Sequence, residues 1–217
     1  AIVKPFRGFR PPPEIAAQVA ALPYDVMDSD EARAIVNRNP RSFLRVTKAE
    51  VDLPPDIDTH STKVYQQARQ NLDEFIANGL LNQDTAPCYY LYKQRFGEHE
   101  QIGLAAVVSV DEYEQGIIRK HEYTRPDKEQ DRVDHISTTG AQTGTVFLTY
   151  REDQTVNALL ASAMDQPPVV AFTADDGIFH SLYVISDPKM VASIEQAFTA
   201  IDILYIADGH HRSAAAA

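Results

Sequence analysis

Apolar residues recur along this chain with two different periods, and these periods divide it into helices and strands. The segment Ser61 to Leu81 is the clearest helix, and Asn78-Gly79 marks its end. Its core-facing stripe consists of five apolar residues: Val64, Ala68, Leu72, Phe75 and Ile76. One face of this helix is therefore predicted to be buried.

Three further helices are predicted from their start signals. Asp28-x-x-Glu31 is a capping box that opens a short helix to about Asn37. Thr124-Arg125-Pro126-Asp127 begins a helix that runs towards Gly140. Asp187-Pro188 begins another, with apolar residues at helical spacing facing the core.

Runs of β-branched and aromatic residues between these helices predict short strands. These runs are Cys88 to Phe96, Ile102 to Val110, Thr145 to Tyr150, Val169 to Thr173, Ile178 to Ile185 and Leu204 to Ala207. Gly97 to Glu100 is the polar turn between the runs that begin at Cys88 and Ile102. Asp175-Asp176-Gly177 is the turn across which the runs that begin at Val169 and Ile178 are expected to pair. Residues 1 to 60 are rich in proline and predict long ordered loops. The mixture predicts an α+β fold, or α/β with a mixed sheet, as one unit over residues 1–217.

Composition narrows the class of protein. The 217 residues, 44% of them hydrophobic, suffice for a core, while a net charge of −11 argues against a nucleic-acid partner. The single cysteine, Cys88, excludes an internal disulfide and fits a reducing compartment. With no apolar run as long as a membrane span, we expect a cytoplasmic protein without a membrane partner. The chain stops as a helix begins at Ala214 to Ala217, so we expect either the front part of a longer protein or only its ordered part, with room for part of the site in the remainder.

The segment Leu204 to Ala214 carries the strongest candidate chemistry. A short strand runs into Asp208-Gly209, and two histidines, an arginine and a helix start follow directly. A helix N-terminus attracts anions, Gly209 allows close backbone approach, and Arg212 can hold two phosphate oxygens. Asp208 can bind a magnesium ion or accept a proton. A polar surface corner without function is the alternative interpretation.

Two other polar segments are candidates. The segment His121 to Arg132 places His121 and Glu122 before a helix on which Lys128 and Arg132 share a face. Taken alone, this segment is better explained as a solvated helix with neighbouring charge pairs. No second histidine follows His121 at helical spacing, so we expect no zinc site. Pro23-Tyr24-Asp25-Val26 is either part of a site or a hydrogen-bonded loop.

Several large enzyme classes lack support in this sequence. The chain has no Walker-type glycine loop, no paired-glycine dinucleotide fingerprint and no Gly-x-Ser-x-Gly elbow. P-loop kinases, Rossmann dehydrogenases and α/β-hydrolases are therefore excluded.

Five motifs in one order carry a family likeness. They are Lys4-Pro5-Phe6-Arg7-Gly8, Pro23-Tyr24-Asp25-Val26, Asn39-Pro40-Arg41-Ser42-Phe43, His121-Glu122-x-Thr124 and Ala207-Asp208-Gly209-His210-His211-Arg212. Together they resemble the bacterial and archaeal family catalogued as domain of unknown function 1015, over essentially the whole chain. Members of that family are longer than this chain.

The last motif also resembles the strand–turn–helix of ParB-type nucleotide-binding domains and sulfiredoxins. Free-serine kinases of that fold carry a similar Asp-Gly-His-x-Arg run. The resemblance implies that Asp208 binds the acceptor hydroxyl or a metal ion, and that the residues from Gly209 to Arg212 hold phosphates. Sulfiredoxin uses a cysteine in its motif, and because none lies near here, sulfinic-acid reduction is not expected.

The leading hypothesis is a nucleotide-dependent small-molecule phosphotransferase, such as a free-serine kinase, with Mg²⁺ and ATP or ADP. Its catalytic residues would be Asp208, His210 and Glu122, with Asp208 also as the metal ligand. The phosphate- and nucleotide-binding residues would be Gly209, His211, Arg212, Ser213, His121 and Lys128. A nucleotide-binding regulatory module without catalysis is the alternative, and a third possibility is that the motif only organises a corner of a protein whose function lies elsewhere.

Overall fold

The computed structural model describes residues 1–217 and shows a mixed α+β architecture. The helices are α1 (Ala16–Val19), α2 (Ser29–Arg38), α3 (Leu44–Thr47), α4 (Thr62–Ala77), α5 (Val110–Glu114), α6 (Pro126–Thr139), α7 (Gln154–Ala163), α8 (Pro188–Phe198) and α9 (His210–Ala216). Short 3₁₀ turns lie at Pro13–Ile15, Tyr24–Val26 and Ala49–Asp52. None of these helices has both the length and the apolar character that crossing a membrane requires.

The strands form several small sheets. In chain order they are β1 (Val3–Lys4), β2 (Phe9–Arg10), β3 (Asn82–Gln83), β4 (Tyr89–Phe96), β5 (His99–Ala105), β6 (Val107–Val108), β7 (Ile118–Arg119), β8 (Phe147–Thr149), β9 (Val170–Thr173), β10 (Phe179–Ile185) and β11 (Leu204–Asp208). The largest sheet has the antiparallel order β5-β4-β10-β9, and a three-stranded sheet has the order β7-β11-β8. The predicted α+β fold class is therefore confirmed.

The chain contacts group into two compact units. The first comprises Ala1–Ala17, Gln83–Lys120 and Leu148–Ile206, and the second comprises Gln18–Asn82, His121–Phe147 and Ala207–Ala217. The single α+β unit expected from the sequence stays a prediction.

In the first unit, Tyr90 anchors the N-terminal segment to the large sheet. The Tyr90 hydroxyl accepts a hydrogen bond from the backbone N–H of Gly8 and donates one to Asp84, both at 2.8 Å. A side chain at Gly8 would meet this hydroxyl at 2.9 Å, so the close approach requires glycine. The Arg10 guanidinium donates hydrogen bonds to both oxygens of the same carboxylate.

The second unit is built around the buried faces of α2 and α4. Ala32 and Val36 of α2 pack against Leu44, while Val64 and Ala68 of α4 pack against the 3₁₀ turn that begins at Ala49. Helix α6 packs against α4, and α9 packs against α6. The helices that carry the candidate site thus rest on an apolar support.

The predicted helix signals agree with the structure. Asp28 and Glu31 form the complete capping box of α2. Helix α6 begins with Pro126 and ends at Gly140, whose φ of 66° is the left-handed conformation that glycine adopts without strain.

The predicted strand from Ile102 to Val110 is wrong at both ends. Gly97, with a φ of 57°, allows a tight turn, so β5 already begins at His99. Beyond β6, the Ser109 side chain accepts a hydrogen bond from the backbone N–H of Glu112, and Val110 starts a helix instead. Helix α7, capped by Asp153, was not predicted.

His135 of α6 is a buried histidine with a measurable effect on stability. Its Nε2 lies 3.1 Å from the Val46 carbonyl oxygen, and burial lowers the pKa of the imidazole from its ordinary value of 6.5. The unfolded chain therefore takes up a proton that the folded chain resists, so stability declines as the pH falls below about 6.5, by up to about 1.4 kcal/mol per pH unit.

We expect His135→Gln to flatten this part of the stability profile, because glutamine cannot titrate and still offers an N–H donor. The measurement is the melting temperature of both proteins between neutral and mildly acidic pH. The matched control is His99→Gln, an exposed histidine that should leave the profile unchanged. If the melting temperatures of His135→Gln and the unaltered chain change with pH in the same way, His135 is not the source of the pH dependence.

Candidate functional site

Two parallel strands bring the two strongest sequence motifs together. Strands β7 and β11 pair in parallel, with Leu204 opposite Ile118. Parallel neighbours end at the same edge of a sheet, so the residues that follow them emerge side by side. The pair His121-Glu122 follows β7, and the turn at Gly209 follows β11.

His210 lies at the centre of the resulting cluster. Its side chain is only 3% exposed, and its Nδ1 lies 2.9 Å from the Oε1 atom of Glu122. The ring of His121 stands nearly perpendicular to that of His210, with the ring centroids 4.4 Å apart. The structure thus brings the two segments together, whereas the roles assigned to these residues stay predictions.

Burial decides the charge of His210. Burial lowers the pKa of this imidazole, although the nearby Glu122 carboxylate acts in the opposite direction. The neutral form of His210 is therefore favoured. In that state His210 supplies no positive charge for a phosphate.

Two glycines leave the space that the side chain of Arg212 occupies. Gly209 caps α9 with a φ of 92°, and a Cβ atom there would lie 3.0 Å from the Nε atom of Arg212. A Cβ atom at Gly144 would lie 3.3 Å from the Arg212 Cδ atom. The guanidinium therefore occupies space that larger residues at either position would fill, and Gly209 is also required by its backbone conformation.

The Arg212 guanidinium makes one hydrogen bond within the protein. Its Nη2 donates to the Oδ2 atom of Asp208 at 2.5 Å, and its other nitrogens make no hydrogen bond. The Asp208 side chain is 70% exposed. The turn thus presents one accessible carboxylate and a guanidinium with free N–H donors.

A small cavity lies beside this guanidinium. Its volume is about 20 Å³, and its lining includes Arg212, Arg132, Tyr24 and Thr143. The Arg132 guanidinium carbon lies 4.2 Å from the centre of the Tyr24 ring, and its Nη2 pairs with Asp131 at 2.6 Å. Two guanidinium groups therefore face one cavity in an acidic protein.

The other predicted site residues have partners of their own or none. The Nε2 atom of His211 accepts a hydrogen bond from the Arg125 backbone N–H at 3.0 Å. The Ser213 hydroxyl donates to the Gly209 carbonyl oxygen at 3.1 Å. Lys128 is exposed on α6 and forms no ion pair. The structure brings neither the Ser213 hydroxyl nor Lys128 to the His210 cluster.

Sequence reasoning missed Gly144 and left Tyr24 open. Tyr24 carried a signal, because Pro23 orders the loop in front of it, and Arg132 belonged to the polar segment already singled out. Gly144 carried none, since its importance comes from the approach of Arg212 from a distant part of the chain.

The fold and the site define an α+β protein with a buried histidine paired with an exposed glutamate, and with an arginine-lined cavity. The chain belongs to the family described as Protein of unknown function (DUF1015), whose model matches residues 3–217. No curated protein and no solved structure matches the chain.

Proposed function

We propose that this protein is a nucleotide-dependent phosphotransferase that phosphorylates a small hydroxyl compound, such as free serine. The observation that carries the proposal is the pair of guanidinium groups, Arg132 and Arg212, at one cavity. Guanidinium groups bind phosphate oxygens in fork geometry, and concentrating them locally is what an acidic protein needs to hold an anionic nucleotide.

The proposed reaction uses the exposed carboxylate beside Arg212. The acceptor hydroxyl attacks the terminal phosphoryl group of ATP or ADP, its proton passes to the Asp208 carboxylate, and the bond to the departing nucleotide breaks. Such transfer depends on positioning and on charge stabilisation rather than on covalent chemistry by the protein. Mg²⁺ supplies further charge neutralisation, and Asp208 offers the oxygen ligand that this ion prefers.

The alternative is a nucleotide-binding regulatory module without transfer. The ion pair between Asp208 and Arg212 favours it, because it engages the carboxylate that would otherwise receive the proton. The similarity of the Asp208 to Arg212 run to ParB-type domains supports nucleotide binding in either case.

The test incubates the chain with Mg²⁺, pooled hydroxyl metabolites and, in separate arms, ATP or ADP. We expect a phosphorylated metabolite that mass spectrometry detects in one arm. Arg212→Lys should lower nucleotide affinity, because an ammonium group cannot replace the guanidinium fork. Arg125→Lys, at an exposed arginine paired with Asp127, is the matched control.

Three outcomes separate the hypotheses. A product that depends on Arg212 supports phosphotransfer. Nucleotide binding that depends on Arg212 without any product supports the regulatory module. The absence of both nucleotide binding and product would overturn both hypotheses. The arginine-lined cavity would then be a structural feature only.

A further inference from the structure

Three side chains around His210 have the composition of a metal-ligand set. One nitrogen of His121, one nitrogen of His210 and one carboxylate oxygen of Glu122 all lie within 4.8 Å of one another. His121 and Glu122 are exposed, so an ion can reach the cluster from solvent, whereas His210 is buried. The cluster therefore combines two solvent-accessible ligands with one buried ligand.

The buried imidazole lacks a partner for one of its nitrogens. The Nδ1 atom of His210 faces the Glu122 carboxylate, but its Nε2 atom is buried and has no hydrogen-bond partner. Buried polar atoms are nearly always paired, and each exception requires an explanation. When the imidazole proton resides on Nδ1, the Nε2 lone pair is free, and a cation bound there would give this buried atom a partner.

We propose that His121, Glu122 and His210 bind a divalent transition-metal ion of the zinc type. Imidazole nitrogen is a preferred ligand of zinc and cobalt, whereas magnesium prefers sites made of oxygen. Two histidines and one glutamate match a donor set in which zinc keeps a fourth position for water or substrate.

This metal site is distinct from the proposed binding site for a magnesium-bound nucleotide, because its ligands are different residues. It stands on three side chains and an unpaired buried nitrogen, and it does not depend on nucleotide binding or phosphoryl transfer. The expectation from the sequence that no zinc site exists rested on local spacing alone. The second histidine comes from the far end of the chain, where local spacing cannot reveal it.

The test uses the full chain freed of metal by a chelator, with no nucleotide present. Calorimetric titration with Zn²⁺ and Co²⁺ should show saturable binding of one ion per chain, and Mg²⁺ should bind far more weakly. Co²⁺ bound by two imidazoles and a carboxylate should also give visible absorption bands that free Co²⁺ in water lacks at that strength.

The variants address the two exposed ligands, so that the buried His210 and the fold around it stay intact. His121→Gln and Glu122→Gln should each weaken Zn²⁺ affinity by about 10- to 100-fold or more, which is the scale of disturbing a metal site. Each should also diminish the Co²⁺ absorption bands. His99→Gln and Glu100→Gln alter the other adjacent histidine–glutamate pair of the chain, in the β4–β5 hairpin, and should leave affinity and spectrum unchanged.

Two results would overturn the proposal. The first is the absence of saturable Zn²⁺ and Co²⁺ binding by a chain that melts cooperatively. The second is binding that His121→Gln and Glu122→Gln leave unaltered, since the ion would then lie elsewhere. Because the titration contains no nucleotide, neither result bears on the phosphotransferase proposal, which can fail or hold independently.

Discussion

Asp208→Asn should abolish most of the proposed phosphotransferase activity while leaving the melting temperature unchanged. Loss of a positioned general base typically lowers the rate by about 10²- to 10⁴-fold. Asparagine keeps the size of aspartate and can still accept the hydrogen bond from the Arg212 guanidinium, so the turn should keep its shape. The exposed ion pair that is lost contributes only about 0–1 kcal/mol to stability.

The matched control for this variant is Asp127→Asn. Asp127 also forms an exposed ion pair with an arginine of the second unit, Arg125, at 2.8 Å. It lies on α6 rather than at the turn, so its variant should keep full turnover. Unchanged turnover in Asp208→Asn would remove Asp208 from the reaction, and lost turnover with a much lower melting temperature would indicate a structural role.

Helices with strong end signals could be predicted from the sequence because their determinants are local. The capping box of α2 joins residues only three positions apart, and the end of α6 depends on the single residue Gly140. Helix α7 had such a signal too, since Asp153 caps it and Val156 and Leu160 face the core at helical spacing. It was missed although its determinants are equally local.

The candidate site could be predicted only in part, because its geometry depends on contacts between distant segments. The chemistry of Glu122 and His210 was visible in the sequence, but their 2.9 Å contact follows from the parallel pairing of β7 and β11. A strand of two residues, Ile118–Arg119, is too short to leave a periodic pattern. The sequence therefore indicated which residues to consider and not which atoms would meet.

The position of Arg212 shows the same limit. Gly209 could be recognised from the Asp-Gly turn signal, but Gly144 matters only because Arg212 packs against it. A glycine that serves a distant side chain has no local signature. The same holds for Tyr24, which gains its significance from the guanidinium of Arg132 above its ring.

Asn71→Ala should destabilise the second unit more than any surface change. Asn71 is fully buried in α4, and its Nδ2 donates to the Arg45 carbonyl oxygen at 2.5 Å and to the Asp52 carboxylate at 2.7 Å. Its Oδ1 accepts a hydrogen bond from Gln67 at 2.9 Å. Alanine would remove these three hydrogen bonds at about 1 kcal/mol each, about 3 kcal/mol in the free energy of unfolding, while Asp52 would keep its ion pair with Arg45.

For a chain of this size such a loss corresponds to a melting temperature lower by about 6–12 °C. Gln70→Ala is the matched control, because Gln70 is the neighbouring residue of α4, is exposed and bonds only to Glu74 on the same helix. Its effect should stay within about 0.5 kcal/mol. Denaturant unfolding of both variants measures the difference directly. Equal stability of the two would mean that the Asn71 amide is dispensable and that the apolar packing of α4 alone holds the 45–52 segment in place.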